Sequence, residues 1–142
     1  MSHIVEARTT LKFPVEQPAL FQAAKALLKE AVGLVAAQHQ EGQVTEYYLD
    51  WYRHTIMTEL AIRAERLPRG MAVVVEPQTG ELKFVGDFWG CESLSQQLQA
   101  EIVQTYVILS VSQVLQSQGY LTSASQGEQE GQIVIQGVNY AA

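Results

Sequence analysis

An aspartate wedged between an apolar run and two aromatics, Gly86-Asp87-Phe88-Trp89-Gly90, followed at once by Cys91, holds the residue types best suited to chemistry. Buried between Phe88 and Trp89, Asp87 could act as a general base. An aspartate ahead of a helix also commonly caps backbone N–H groups or holds the turn. Cys91 stands where a helix begins, and helix N-termini favour thiolates. A nucleophile there still needs a base and an orienting acid. The sequence sets no histidine beside it, and His54 is the one that folding could bring close. The alternative for Cys91 is a small, partly buried residue at a strand-to-helix corner. No second carboxylate is spaced for paired acid–base work. Neither a phosphate loop nor GxGxxG occurs, so no catalytic set and no cofactor are expected.

Metal chemistry is equally thin. His3, His39, His54 and Cys91 lack the spacing of a zinc site. Met1-Ser2-His3 could bind copper through the terminal amine and imidazole, but the small Ser2 favours removal of Met1. No metal site is expected, and His39 reads as a helix-end residue near the negative dipole pole.

Binding is better served. Arg53, Arg63, Arg66 and Arg69, interleaved with Trp51 and Tyr52, could stack on or pair with an anion, or could be solvated strand and turn positions. Trp51 and Trp89 suit a core, yet tryptophan and arginine are also the usual anchors of interfaces. The stretch from 93 to 118 offers a further surface. Leu98, Ile102, Val103, Tyr106, Val107, Ile108, Leu109, Val111, Val114 and Leu115 make an apolar arc wider than one sheet-facing stripe requires. Its polar side is glutamine, serine and threonine, and interface cores are likewise depleted of charge. A helix buried in its own domain would look similar, and glutamine is abundant throughout, with 17 residues. The candidate binding residues are therefore Trp51, Arg63, Asp87, Trp89, Gln104 and Tyr106.

Charge narrows the partners. The net charge is −6, and a general nucleic-acid binder needs a basic surface. All nine Lys and Arg residues fall at or before Lys83, and from Phe84 onward there are five acids and no base. A basic partner could use that half, or the carboxylates could simply be solvated. With 47% hydrophobic and 17% charged residues the composition is globular. A chain of 142 residues suits a single domain over 1–142. Apolar runs are too short for a membrane span. The N-terminus has neither the basic start nor the apolar core of a signal peptide. One cysteine permits no internal disulfide. The expected location is cytoplasmic.

The elements that must position these residues follow from periodicity. Residues 4–13 alternate, with Val5, Ala7, Thr9, Leu11 and Phe13 on one side, as in a half-buried strand. Pro14 ends it, and Pro18 suits the first turn of a helix over 17–39. There Leu20, Ala24, Leu27, Leu28, Ala31, Leu34 and Val35 repeat at helical spacing, and Gly42 closes the region. Tyr47 to His54, by its aromatics, and Thr58 to Arg66, by the alternation of Leu60, Ile62 and Ala64 with Glu59, Arg63 and Glu65, read as two strands, with a helix over 46–60 as the rival. A hairpin joins 71–76 to 81–87 through Pro77-Gln78-Thr79-Gly80, with glycine suited to a left-handed position. Ser93 and Gln96 have the spacing of a capping box for a second helix over 93–118, stopped by Gly119. A last hairpin runs from Tyr120 to Ser125 and from Gln132 to Val138, with a polar turn through Gly127 and Gly131. The fold class is α+β: an antiparallel sheet of hairpins with two long helices packed on one face.

Several short motifs carry a family resemblance by their order: Met1-Ser2-His3, Glu59 to Arg63, the Gly80 hairpin leading into Asp87-Phe88-Trp89-Gly90, Gln104-Thr105-Tyr106, Gly119-Tyr120 and Gly131-Gln132-Ile133. In these the chain resembles the cyanobacterial and plastid family called hypothetical chloroplast reading frame thirty-five, a domain of unknown function. The likeness covers the first residues and most of the last two thirds. Residues 14–58 differ from the family pattern. Arg69-Gly70-Met71-Ala72 stands where relatives carry a tyrosine–aspartate pair, so no role of that pair carries over. The resemblance implies a photosynthetic microbe. Together with the charge-free helix it gives the expected function: a non-enzymatic accessory or assembly protein that binds a protein partner or itself. The rival is a small-molecule-binding domain or small enzyme with a pocket near Trp89 and Asp87.

Overall fold

The computed structural model describes residues 3–126 and 133–139. The polar turn through Gly127 and Gly131 lies outside these residues, as do Met1 and Ser2 of the conceivable copper site.

Five strands form one antiparallel sheet: β1 (Val5–Lys12), β2 (Gln43–Leu49), β3 (Thr55–Ala64), β4 (Leu67–Val75) and β5 (Glu81–Gly86), in the order β1-β5-β4-β3-β2. Helix α1 (Pro18–Ala37) links β1 to β2, and helix α2 (Glu92–Ser117) follows β5. A hairpin of β6 (Tyr120–Gln126) and β7 (Ile133–Asn139) is a separate two-stranded sheet lying against α2. The α+β expectation is met. Residues 45–60 make two strands, because Tyr47, Tyr48 and Leu49 pair directly with Met57, Ile56 and Thr55. β-branched and aromatic side chains fit that half-buried pleat.

Alternation builds the core. Leu60 and Ile62 of β3, Met71 and Val73 of β4, and Leu82 and Phe84 of β5 present one face of the sheet. Leu28, Val32 and Val35 of α1 and Leu98 and Ile102 of α2 close over that face in one cluster, with Phe13 at its end. The buried side of α1 is Leu28, Ala31, Val32, Val35 and Ala36, whereas Leu20 and Leu34, expected in the stripe, are exposed. The helix is thus rotated toward the 28–32–35 ridge, where spacings of three and four stay in register with the sheet.

Glycines set two of the turns. Gly80 has φ 75°, and a Cβ there would collide with the Phe13 carbonyl, whose own N–H donates to Gly80 O at 2.7 Å. The 77–80 turn therefore fastens the sheet to the end of β1. Gly119, φ 89°, ends α2 in the expected left-handed conformation.

The capping box does not form. Helix α2 starts one residue earlier, at Glu92, with Cys91 at the N-cap position and no side-chain cap. Glu92 supplies the acid of the first turn, and its Oε1 accepts the Gly90 N–H at 3.2 Å. Ser93 is thereby carried inside the helix, where it can no longer cap. The two helices are clasped by His39 Nε2 and Glu101 Oε1, 2.6 Å apart. That places His39 just beyond the end of α1, held by a carboxylate of α2 as well as by the helix end.

Candidate functional site

Three of the six sequence-derived binding residues, Trp51, Asp87 and Trp89, gather with Arg69 at one end of the sheet. The β2–β3 turn brings Trp51, the first residues of β4 bring Arg69, and the exit of β5 brings Asp87 and Trp89. The indoles of Trp51 and Trp89 meet edge to face, 5.1 Å between centroids. The Arg69 guanidinium lies over the Trp51 ring at 5.0 Å. Its Nε donates to Asp87 O at 3.2 Å and its Nη2 to Trp89 O at 2.6 Å. Arg69, which sequence reasoning grouped with the other arginines without singling it out, is the pin of this corner. The clue was its place between Pro68 and Gly70, where a strand start can turn a side chain toward a neighbouring loop.

Asp87 performs the turn-holding role. Its side chain is 1% exposed, and Oδ1 accepts the Trp89 N–H at 3.1 Å. Arg69 Nη2 is 3.9 Å from the same oxygen, close enough for attraction but not for a hydrogen bond. Oδ2 is buried with no partner among the described residues. Gly86 makes the corner possible, because a Cβ there would come within 2.7 Å of the Phe88 ring. Gly90, φ 79°, completes it. Asp87, Phe88 and Trp89 form part of the wall of a mostly apolar cavity of about 370 Å³, shared with β1 and the first turns of α2.

Arg63 does not join Asp87. It lies across β4 beside Gly70, whose missing Cβ would otherwise press on Arg63 Cγ at 2.8 Å. Its Nε donates to Pro68 O at 2.9 Å and its Nη1 to Tyr47 Oη at 2.7 Å. A second, more polar cavity of about 270 Å³ opens here, walled by Trp51, Arg53, Arg63 and Arg69. The arginine group and the aspartate thus face different spaces, with Arg69 and the two indoles between them.

Cys91 sits half-buried at the head of α2 against the core. His54 is engaged elsewhere: its backbone N–H and Nδ1 lie 2.8 and 3.0 Å from the two carboxylate oxygens of Asp50. Desolvation pushes the Asp50 carboxyl up, but the His54 hydrogen bonds and charge outweigh it and hold the group below its ordinary value. No hydrogen bond joins Cys91 to His54 among the described residues. Likewise, no three His, Cys, Asp or Glu side chains among the described residues are grouped to hold a metal ion.

The other two candidates, Gln104 and Tyr106, lie on α2. The Tyr106 ring stacks on Phe13, centroids 5.0 Å apart and planes 16° from parallel, so it belongs to the packing against the sheet end. Gln104 points outward. It begins a line continued by Val107, Val111 and Val114, which are 38%, 39% and 57% exposed. The spacings are three, four and three, so the four residues share one face, opposite Leu98 and Ile102. After Ile102 no described side chain of the helix is fully buried. Ile108, Ser110 and Leu115 flank the line, and no charge occurs from Ile102 to Gln118. This is the narrow seam of a coiled-coil position pattern, left open. Gln113 is also exposed but falls on the opposite side of the helix from Gln104.

No family model, no curated protein and no solved structure matches the chain. No helix among the described residues is long and apolar enough to cross a membrane.

Proposed function

We propose that this chain is a non-enzymatic accessory or assembly protein of a photosynthetic microbe, working in the cytoplasm by protein binding through α2. The observation that carries the reading is the open seam Gln104-Val107-Val111-Val114. A helix packed on a sheet needs one apolar stripe, and its solvent face ordinarily carries Lys and Glu. Here the solvent face repeats valine at heptad spacing without any charge. The order of the family-like motifs supports the organism class. The occupant best matched to the seam is the same helix of a second copy. Valine meets valine and Gln104 meets polar groups without the desolvation cost of an ion. The flanking Ile108, Ser110 and Leu115 offer no charge with which to select a different, complementary helix.

Position 111 is the middle of the seam, so it faces its copy in either a parallel or an antiparallel pair. A Val111→Cys change in a Cys91→Ser background should give a covalent dimer under mild oxidation, while Lys29→Cys in that background should not. Equal dimer yields from the two would defeat the reading.

A second reading, a small-molecule site at the Asp87 and Trp89 cavity, is favoured by the unpartnered Oδ2 in its wall. Ligand-observed NMR with a fragment set would test it. Hits lost on Asp87→Ala support a site there, and hits indifferent to that change remove it.

A further inference from the structure

The cavity at the β2–β3 turn gathers three guanidinium groups in a chain whose net charge is −6. Its wall is Leu49, Trp51, Arg53, Arg63, Pro68 and Arg69, with no carboxylate side chain among them. Asp50 holds His54 by two hydrogen bonds, Asp87 approaches Arg69 at 3.9 Å without lining the cavity, and Glu41 and Glu65 share only a neighbouring cavity with Arg63. Among the described residues, one carboxylate comes within ion-pair distance of one of the three cations. Arg53 and Arg63 have no ion-pair partner among the described residues.

Two of the guanidiniums are set in place before any ligand arrives. Arg63 is held by Pro68 O and Tyr47 Oη and passes over Gly70; Arg69 is held by Asp87 O and Trp89 O and lies on Trp51. Each uses two nitrogens for these bonds and keeps the third free: Nη2 of Arg63 and Nη1 of Arg69 have no partner among the described residues. Fixed donors lose little freedom on binding. Arg53 differs, because it is exposed and its side chain has no hydrogen bond among the described residues. Its backbone is left-handed, φ 64°, a conformation that a long side chain seldom takes and that tends to mark functional positions. Arg53 lines the cavity together with the two fixed arginines.

We propose that this cavity is an oxyanion site that binds a small phosphomonoester. Three guanidiniums with free N–H groups around one cavity suit a tetrahedral dianion, whereas a single carboxylate would be satisfied by one of them. The cavity, about 270 Å³, accepts a phosphate with a small organic group, and the exposed Trp51 indole borders it for a planar substituent. Arg63 and Arg69 form the preset floor, and Arg53 closes on the phosphate from outside.

Trp51 and Trp89 are the only two tryptophans and touch each other, so indole fluorescence reports on this corner. Wild-type protein would be titrated at constant ionic strength with phenyl phosphate, inorganic phosphate, benzoate, and vesicles containing phosphatidate. The site predicts a saturable response to phenyl phosphate, a weaker one to inorganic phosphate and none to benzoate in the same range. Arg53→Gln, at an exposed position, should weaken phenyl phosphate by about tenfold, as expected for losing a charge-assisted contact. Lys29→Gln, on α1, should leave it unchanged. Absence of saturation with both soluble phosphates overturns the proposal, and so does an affinity indifferent to Arg53→Gln. Binding to vesicles alone would show a lipid surface in place of the small ligand and overturns it equally.

Discussion

Asp87 shows how one residue can be ill satisfied and still hold a structure. Its Oδ1 fixes the Trp89 N–H and sits near Arg69, while Oδ2 has been taken from water without a donor in exchange. Removing the whole group leaves the Trp89 N–H without its acceptor and Arg69 without its nearest anion. Asp87→Ala should therefore lower stability by about 1–3 kcal/mol. Asp87→Asn keeps an acceptor for Trp89 and removes the buried charge, so it should cost less. Urea midpoints of the two variants check this, and the reverse order would contradict it. Two further groups predict behaviour in alkali. Burial, assisted by the Glu6 carboxylate, raises the Tyr48 phenol above its ordinary value. Hydrogen bonds to Glu6 and then Glu76 raise Lys83. In each case the folded chain holds its proton to higher pH than the unfolded chain does. The associated stability is complete below the unfolded values, about 10 for both types, and is lost as pH rises through the folded ones. Resistance to chemical denaturation should thus weaken above about pH 10, and Tyr48→Phe should lessen the fall. A flat profile there would contradict the assignment.

At the scale of elements, the clasp between His39 and Glu101 joins the two helices outside their apolar contact. Both side chains are mostly buried, 17% and 27% exposed, and Gln97 steadies the second carboxylate oxygen. A double-mutant cycle with His39→Gln and Glu101→Gln should return a coupling of about 1 kcal/mol near neutral pH; additive effects would show the clasp to be idle. Gly80→Ala should cost about 2 kcal/mol or more, since it combines a left-handed backbone with a collision against Phe13 O. A midpoint within experimental error of wild type would count against that turn as the fastening of β1. These elements were largely legible in the chain. Alternation marked β1 and β3, the Pro77 to Gly80 run marked the hairpin, and helical spacing marked both helices. The start of α2 was not legible, because Ser93 and Gln96 have the right spacing but Glu92 captures the Gly90 N–H first. The site was half legible. Residue types pointed to Trp51, Arg63, Asp87 and Trp89, yet which of them share a space depends on strand pairing. Pairing brings the β2–β3 turn beside the exit of β5 and sends Arg63 over Gly70 instead of toward Asp87.

Across the whole molecule, charge and packing divide in the same way. Every lysine and arginine lies in the part that builds the five-stranded sheet and α1, and the part beginning with Phe84 has none. The last fully buried residue of α2 is Ile102, and beyond it the helix carries β6 and β7, a two-stranded sheet of a kind that is marginal alone in water. An apolar, charge-free half-helix with a two-stranded sheet lying against it is natural material for an interface. Sedimentation velocity over low to high micromolar concentration tests this most directly, comparing wild type with Val107→Lys/Val114→Lys. Both valines are exposed, so the variant should keep the wild-type circular dichroism and unfold within about 1 kcal/mol of the isolated chain's stability. The account predicts a wild-type species with the mass of two chains and a variant with the mass of one. A wild type that sediments as a single chain at every concentration, or a variant that still pairs, would contradict it.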